Sequence, residues 1–137
     1  MPTFDYTITI LNKAKATDTA TGLDVWRKTV LNNCAWSANA VRNIQGSTVS
    51  VGNAFVVRVP KSPDYHPYSE WITNIYKGFT FSTGDYIIKG EIEEDVITPD
   101  NVLNIVSKHR PEAFEIRYFK DNTGTVELAE HYHIEGV

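Results

Sequence analysis

Cysteine is nearly absent from this chain, which has 137 residues and a single cysteine, Cys34. One cysteine cannot form a disulfide within the chain, and it leaves no cysteine cluster for a zinc ion or an iron–sulfur group. Free cysteines are most often small, buried, apolar side chains. We therefore expect Cys34 to lie in a core.

Long apolar runs and linkers are absent as well. No stretch approaches the roughly 18 to 20 apolar residues of a membrane span, and no basic segment followed by an apolar one opens the chain, as export would need. No repeat and no long Gly/Ser-rich or Pro-rich tract divides the sequence. We expect one domain over residues 1–137, made in the cytoplasm and not bound to a membrane.

The motifs of common catalytic and nucleotide sites are missing. No G-x-S-x-G elbow presents a nucleophile, and Gly84 and Gly90 flank a predicted strand instead of preceding a helix that could bind a phosphate. The chain is therefore predicted not to be an enzyme, with no catalytic residue and no cofactor.

Two histidines are the best candidates for metal ligands. His131 and His133 are two apart in a predicted strand and share a face with Glu127, so a third ligand would complete a zinc or nickel site. No H-E-x-x-H motif or cysteine supports this, and His66 is the only histidine in a long loop. We expect structural or surface histidines and no metal site. A metal-dependent enzyme is the third and weakest hypothesis for function.

An acidic run follows Gly90 and consists of Glu91, Glu93, Glu94 and Asp95. A glycosidase needs two carboxylates on either side of a cleft, one with its pKa raised by burial. No apolar residues shield this run. A solvated sheet edge, which charges protect from unwanted pairing, is the better interpretation.

Charge is modest overall but uneven along the chain. The net charge is −4, with nine basic and six acidic residues in 1–89 (+3) against four and eleven in 90–137 (−7). Both sets could be dispersed over solvated faces, or the subunit could be dipolar and pair head to tail with its own copies. The acidic balance, with a pI near 5.5, argues against a dedicated reader of DNA.

Alternation with a period of two predicts that most of the chain is β-structure. Asn32 and Asn33 are expected to turn the hairpin over 23–38, and Gly52 and Asn53 to form a bulge or turn. Pro60 should end the pairing, because proline has no amide hydrogen. Strands or hairpins are predicted over residues 6–11, 23–38, 49–59, 78–81, 86–88 and 114–134, the last with its turn at 121–124.

One short helix is expected over residues 98–108. Thr98 can cap it, Pro99 suits its first position, and Pro111 follows its end. Its predicted buried stripe is Val102, Leu103 and Val106. Together these elements indicate a mainly β fold, a small β-barrel or sandwich of about eight short strands with one short helix.

Two loops carry the features most suggestive of recognition. Residues 13–21 are polar and expected to be mobile, whereas residues 60–71 combine aromatic side chains with prolines that exclude a regular helix. Alternatively, the second loop folds back and Trp71 closes one end of a barrel. The predicted interaction residues are Lys13, Lys15, Thr17, Asp18, Tyr65, His66, Tyr68 and Trp71.

Three segments, in order along the chain, resemble small proteins of siphophages and prophages of Gram-positive bacteria. In those proteins a strand ending in Asn leads to a TGLDVW-type turn, a GDxIxKGE strand follows, and a closing HWxVxG ends the chain. Tyr132 stands where the closing motif usually has Trp. The matching segments here are Ile8 to Asn12 with Thr21-Gly22-Leu23-Asp24-Val25-Trp26, then Gly84-Asp85-Tyr86-Ile87-Ile88-Lys89-Gly90-Glu91, and finally His131-Tyr132-His133-Ile134-Glu135-Gly136.

This resemblance implies a head-closure or stopper protein, a small non-catalytic barrel that forms a ring at the head–tail junction of a virion. The implied partners are portal or adaptor proteins, tail proteins and further copies of the chain, with at most a passing contact with genomic DNA in the channel. The implied location is the virion, after synthesis in the host cytoplasm. A small β module that binds a carbohydrate or another small ligand through Tyr65, Tyr68 and Trp71 is the second hypothesis.

Overall fold

The structure, a computed structural model, describes residues 5–45, 48–121 and 131–137, with 39–45 and 48–54 described through their backbone alone. Two α-helices, α1 (Tyr68–Thr73) and α2 (Val102–His109), accompany the sheet. The strands of the described chain are β1 (Tyr6–Ala14), β2 (Val25–Gln45), β3 (Thr48–Pro60), β4 (Tyr86–Lys89), β5 (Ala113–Asp121) and β6 (His131–Gly136).

The strands close into an antiparallel barrel in the order β1-β2-β3-β6-β5-β4. This confirms the predicted mainly β fold and selects the barrel over the sandwich. The count differs, because long strands replace several of the predicted short ones and the described residues contain two α-helices instead of one. Neither helix of the described segments has the length and apolar character that a membrane crossing requires.

The predicted hairpin over residues 23–38 is wrong, because β2 runs through it as one strand. Asn33 does adopt the left-handed conformation, with φ of 61°, but it bulges the strand instead of turning it. Pairing to β1 passes from Tyr6↔Cys34 to Ile8↔Leu31, so β2 has one residue more than β1 between these pairs. A residue that tolerates positive φ serves a bulge as well as a turn.

The predicted interruption at Gly52 and Asn53 is also wrong. Both residues pair in regular register with β2, Gly52 with Val41 and Asn53 with Ala40. Pro60 is the last residue of β3, as predicted.

The loop between β3 and β4 holds a helix that the prolines were expected to exclude. Helix α1 begins directly after Pro67, a position where the missing amide hydrogen costs nothing. The strand predicted over 78–81 is not formed, and Phe79 makes only an isolated bridge to Tyr65. Tight packing and loop hydrogen bonds hold this stretch instead.

Two apolar cores lie on the two sides of the barrel wall. The inner core fills the barrel and includes Ile10, Val57 and Phe114, all 0% exposed. It also contains Cys34, as expected, and burial raises the pKa of this thiol to about 12. The outer core lies under α2, where Ile88 meets the helix.

Helix α2 is shorter than predicted, and the predicted cap at Thr98 is wrong, because the N-cap residue is Asn101 and it makes no side-chain capping bond. The hydroxyl of Thr98 accepts the amide N–H of Asn101 at 3.3 Å, before the helix proper begins at Val102. Its buried stripe consists of Val102, Ile105 and Val106, spaced i, i+3 and i+4, and Leu103 is 61% exposed. The predicted burial of Leu103 is therefore wrong.

The C-terminal hairpin is confirmed where it is described. Tyr132 and Ile134 of β6 are buried, and the alternate His131 and His133 are half-buried. Its turn, and the residues from Val126 to Ala129 predicted for its second strand, lie outside the described residues. Gly136 packs so closely on the Glu115 carbonyl and the Phe114 ring that a larger residue would collide with them.

The barrel has two different ends. At the loop end, residues 15–24 and 61–85 connect strand termini, among them Ala14, Val25 and Pro60. At the opposite end, β2 and β3 continue past their last pairs with β1 and β6, which involve Cys34 and Phe55. We call residues 39–45 and 48–54 the arm, a two-stranded ribbon roughly 20 Å long at about 3.3 Å per residue.

Candidate interaction surface

The two loops predicted for recognition meet at the loop end of the barrel. Tyr68, the first residue of α1, donates its hydroxyl to Asp18 Oδ2 at 2.8 Å. The same hydroxyl accepts the backbone N–H of Lys15 at 3.0 Å, next to the 3-10 turn Ala16–Asp18. Burial raises the pKa of Tyr68 to about 12, so the phenol keeps its proton and remains a donor.

A chain of aromatic rings continues from this contact to β2. The Lys15 ammonium lies 5.6 Å from the centre of the Tyr68 ring, and the rings of Tyr68 and Trp71 are 6.1 Å apart. Trp71 contacts Tyr76 at 5.0 Å, and the Arg27 guanidinium lies 5.1 Å from the Tyr76 ring. Cation–π contacts of this kind hold basic side chains over aromatic rings.

The predicted interaction residues divide between surface and interior. Lys15, Thr17 and Asp18 are exposed beside the half-buried Tyr68, and His66 lies next to α1 with Nδ1 3.9 Å from Glu70 Oε2. The Lys13 ammonium lies on another face, 5.8 Å from the Trp26 ring.

Two aromatic residues of the predicted site belong to the interior. Trp71 is 0% exposed. Tyr65 packs on the inner core, with its ring 4.4 Å from Tyr132 and 5.7 Å from Phe81. The loop thus folds back, as the alternative interpretation held, but Tyr65, Phe79 and Phe81 contact the inner core while Trp71 packs between Tyr68 and Tyr76.

A buried polar network lies beneath these loops and was not predicted from the sequence. Asp85 is 1% exposed, and its Oδ1 accepts the Lys13 amide at 3.1 Å. Its Oδ2 accepts Asn12 Nδ2 at 2.9 Å and the Ser82 amide at 3.1 Å. Asn12 also donates to the Thr80 carbonyl at 2.7 Å and accepts the Thr80 amide at 3.3 Å. The network fastens residues 80–85 to β1.

The environment of Asp85 contains opposing influences on its charge. Burial raises the pKa of this carboxyl to about 7, while the hydrogen bonds from Asn12, Lys13 and Ser82 lower it and so limit the rise. The hydrogen bonds that the Asp85 oxygens accept come from Asn12, Lys13 and Ser82 of the chain itself. Asp85 therefore holds the loop, and its oxygens are not presented to an outside molecule.

A groove runs along the outside of the loop end, between residues 22–28 and 95–100. It consists of two neighbouring depressions, one of about 460 Å³ lined by Leu23, Asp24 and Asp100 among others, and one of about 240 Å³ lined by Arg27, Lys28, Asp95 and Val96 among others. Leu23 in the first depression is 68% exposed, and Val96 in the second is 71% exposed. At one end the Lys28 ammonium reaches across to Asp95 Oδ1 at 3.2 Å and to the Glu94 carbonyl at 2.9 Å.

The groove also escaped the sequence analysis, although part of its signal was visible. The acidic run after Gly90 was expected at a sheet edge, but Glu94 and Asp95 instead lie in the loop that crosses the outer wall towards α2. An exposed Leu23 inside a polar turn is the feature that could have marked the site.

The histidines considered as metal ligands have other contacts. His133 Nε2 lies 3.0 Å from Glu135 Oε2 on the same strand. Among residues 5–45, 48–121 and 131–137, no group of three potential metal-ligating side chains comes together. Glu127, the third member of the predicted face, lies outside the described residues.

Comparison with known proteins gives a family but no function. No curated protein and no solved structure matches the chain. A family model matches residues 3–137, which includes every described strand and both helices. The chain belongs to this family, described as a family of unknown function (DUF6751).

Proposed function

We propose that the chain is a structural protein of the head–tail junction of a tailed bacteriophage or prophage. It would act as a head-closure or stopper subunit that assembles as a ring with portal or adaptor proteins and with tail proteins. The observation that carries this proposal is a closed barrel from which one hairpin continues as the arm. The host cell would make the subunit in its cytoplasm, and the virion would be its final location.

The arm supports a role in assembly because of its unpaired backbone. The pairs with β1 and β6 end at Cys34 and Phe55, and no other described strand pairs with the outer edges of the arm. Free strand edges bind other chains readily, and proteins that do not use them usually shorten or cover them. A long ribbon that no described strand covers, on an otherwise closed sheet, fits a subunit whose partner is another protein.

The resemblance to siphophage proteins supports the same role. The quoted segments include Asn12 and Asp85, which form the buried network, and Gly136, which fits against Glu115 and Phe114. The matching residues therefore include ones that this barrel needs for its own packing. The arm, which lies between the matching segments, would then contact partners specific to each virus.

A catalytic function forms no part of the proposal. Asp85 has a strongly shifted pKa, but its carboxylate is 1% exposed and hydrogen-bonded by the chain. Groups that act on a substrate need an open approach to it.

The small-ligand hypothesis has less support from the contacts. A sugar ring binds by stacking on an exposed aromatic face, but Trp71 is 0% exposed and Tyr65 packs on the inner core. Of the three aromatic residues named for that function, Tyr68 is the one beside the exposed loop 13–21. Binding by all three would require the loop over residues 60–71 to open.

Deletion of the gene from the genome that encodes it tests the proposed function. Heads that fail to retain their DNA and separate tails should then accumulate, and infectious particles should be lost, because the junction cannot be closed. The intact gene supplied in trans should restore infectivity, as should an Asn104→Ala variant, which changes an exposed position of α2. Normal particles without the protein, or absence of the protein from purified wild-type particles, would overturn the proposal.

A further inference from the structure

We propose that two copies of the free chain pair through their arms, with residues 48–54 of one copy antiparallel to residues 48–54 of the other about a two-fold axis at Val51. Such a pair goes beyond the proposed function, because it forms outside a particle, where portal and tail proteins are absent. Three features of the arm support it, all of which depend on its backbone pairing and on its residue types.

The first feature is the outer edge of β3 within the arm. Among the described strands, β6 pairs with β3 only from Phe55 onward, whereas residues 48–54 pair with β2 alone. In an antiparallel pair, every second residue of a strand directs its N–H and C=O groups away from its partner. This edge therefore presents backbone donors and acceptors to a further strand.

The second feature is the residue types along this edge. Natural sheet edges usually carry charged residues, prolines or bulges that prevent pairing with other chains. Residues 48–54 contain no charged residue and no proline, and their register with β2 is continuous. The β2 side of the arm has Arg42 at its middle, and a two-fold pairing of two β2 edges there would place like charges opposite each other. The β3 edge is therefore the one suited to its own copy.

The third feature is the narrow apolar face of the arm. The register places Ile44 opposite Val49 and Arg42 opposite Val51, so these four positions share one face. The positions between them share the other face, which has Val41 and otherwise polar or small residues. A two-stranded ribbon is marginally stable in water, and three or more strands with an apolar face are needed for independent stability.

Pairing about Val51 supplies the missing strands. The axis sets Val51 opposite its own counterpart and Val49 opposite Asn53, so these residues of both copies lie on the same face of the combined sheet. The positions of Ile44, Val49 and Val51 from both copies then form one apolar surface across four antiparallel strands. Because each copy contributes the same edge, the contact closes with two copies.

Disulfide formation in full-length variants tests the register. Val51→Cys places two cysteines opposite each other across the axis, and opposed strand positions lie within the Cα separation of about 4.4–6.8 Å that a disulfide needs. Val49→Cys is the matched control, because its two copies would lie four residues apart along the strands, roughly 13 Å at about 3.3 Å per residue. We expect the disulfide dimer of Val51→Cys to exceed that of Val49→Cys by roughly tenfold under the same mild oxidation.

A mixture of two variants makes the test more specific. Val49→Cys and Asn53→Cys should each cross-link poorly alone and should cross-link when mixed, because the axis places these two positions opposite each other. The native Cys34 is 0% exposed, so the wild-type chain is a suitable background and should form no disulfide dimer.

A charge at the axis should weaken the pair without any oxidation. Val51→Lys places two ammonium groups opposite each other, and we expect the dissociation constant of the dimer, measured by sedimentation equilibrium, to rise roughly tenfold. Val41→Lys adds the same charge to the β2 side of the arm and should change the constant by no more than about twofold. Urea denaturation of both variants checks that the barrel remains folded.

Several outcomes would overturn the inference. Equal disulfide yields from Val51→Cys and Val49→Cys would do so, as would a wild-type chain that stays monomeric at high concentration or a dimer that Val51→Lys leaves unchanged. A stronger cross-link from Val51→Cys to Arg42→Cys than to itself would assign the edge to β2 of the second copy instead. These results would leave the phage function standing, whereas a Val51→Cys dimer of a protein that is absent from virions would refute that function alone.

Discussion

The two ends of the barrel differ in whether contacts within the chain satisfy their backbone and polar groups. At the loop end the chain supplies its own partners, because Asp85 and Asn12 fasten residues 80–85 to β1 and Tyr68 joins α1 to the turn before β2. At the arm end β2 and β3 leave the wall, and no other described strand covers their outer edges. One end is held by contacts within the chain, whereas at the other end the outer backbone groups of the arm have no partner among the described strands.

The comparison separates the contacts that stabilise the fold, which lie at the loop end, from the surface proposed for assembly, which is the arm. Buried polar groups without partners cost more than exposed ones, so the loop end should be sensitive to the loss of a single hydrogen bond. Under the proposed function, the arm should tolerate substitution as long as assembly is not measured. The predictions that follow test this contrast, from the largest expected effect on stability to the smallest.

Asn12→Ala should be the most damaging of these changes. It removes the partner of both backbone groups of Thr80, which leaves two buried polar groups unsatisfied, and it leaves Asp85 Oδ2 with the Ser82 amide as its donor. We expect a loss of about 3 kcal/mol in the free energy of unfolding, measured by urea denaturation. Asn104→Ala, at an exposed position of α2, is the matched control and should change stability by less than about 0.5 kcal/mol.

Equal effects of the two alanine substitutions would contradict the contrast between the ends. They would mean that the loop over residues 80–85 keeps its position without the amide of Asn12.

The charge of Asp85 should make the loop end sensitive to pH. Burial raises the pKa of the folded carboxyl to about 7 from an ordinary value of 3.8. Between these values the unfolded chain has released the proton and the folded chain still holds it, so the free energy of unfolding falls as pH rises. Above about pH 7 this contribution becomes constant.

Comparison with Asp85→Asn isolates this contribution, because the amide does not titrate. Urea denaturation of both chains at several pH values should show a steeper loss of stability in the wild-type chain between about pH 4 and pH 7. The variant is expected to be less stable overall, since its NH2 group faces donors, and the slope is therefore the quantity compared. Parallel pH profiles would show that Asp85 has an ordinary pKa in the folded chain.

The barrel could be predicted from the sequence, but not the partners of its strands. Alternation in residues 6–11 and 49–59 and the stop at Pro60 depend on nearby residues alone. The role of Asn33 could not be predicted from nearby residues, because a bulge differs from a turn here only through the pairing with Tyr6 and Ile8 of β1, which are far away in sequence.

The candidate interaction surface could also be predicted only in part: the residue types could be predicted, but not which residues contact one another. Lys15, Asp18 and Tyr68 were predicted for interaction from their residue types, but their mutual contact joins loops about fifty residues apart. Asp85 follows Gly84 in a turn, a typical exposed position for Asp, and its burial results from Asn12 and Ser82 closing over it. Such closure depends on the tertiary fold, which local patterns do not encode.

Tyr68→Phe should have a smaller effect than Asn12→Ala. It removes the hydroxyl that joins Asp18 to the amide of Lys15, at a half-buried position where water can replace part of the bond. We expect a loss of about 1 kcal/mol and faster amide hydrogen exchange in the turn Ala16–Asp18. Tyr118→Phe, on the exposed side of β5, is the control. Unchanged exchange in the turn would show that the two loops are held together by other contacts.

Removal of the arm should affect stability least. Joining Ala38 to Phe55, which are paired opposite each other, through an Asn-Gly turn deletes residues 39–54 and closes the hairpin at the edge of the wall. Because no other described strand pairs with the arm, we expect the free energy of unfolding to change by no more than about 0.5 kcal/mol. If the chain assembles as proposed, the shortened chain should nevertheless fail to associate with its own copies under conditions where the full chain does, as measured by sedimentation at high concentration. A loss of several kcal/mol would mean that the arm holds the barrel together, and a shortened chain that still associates would place the subunit contact elsewhere.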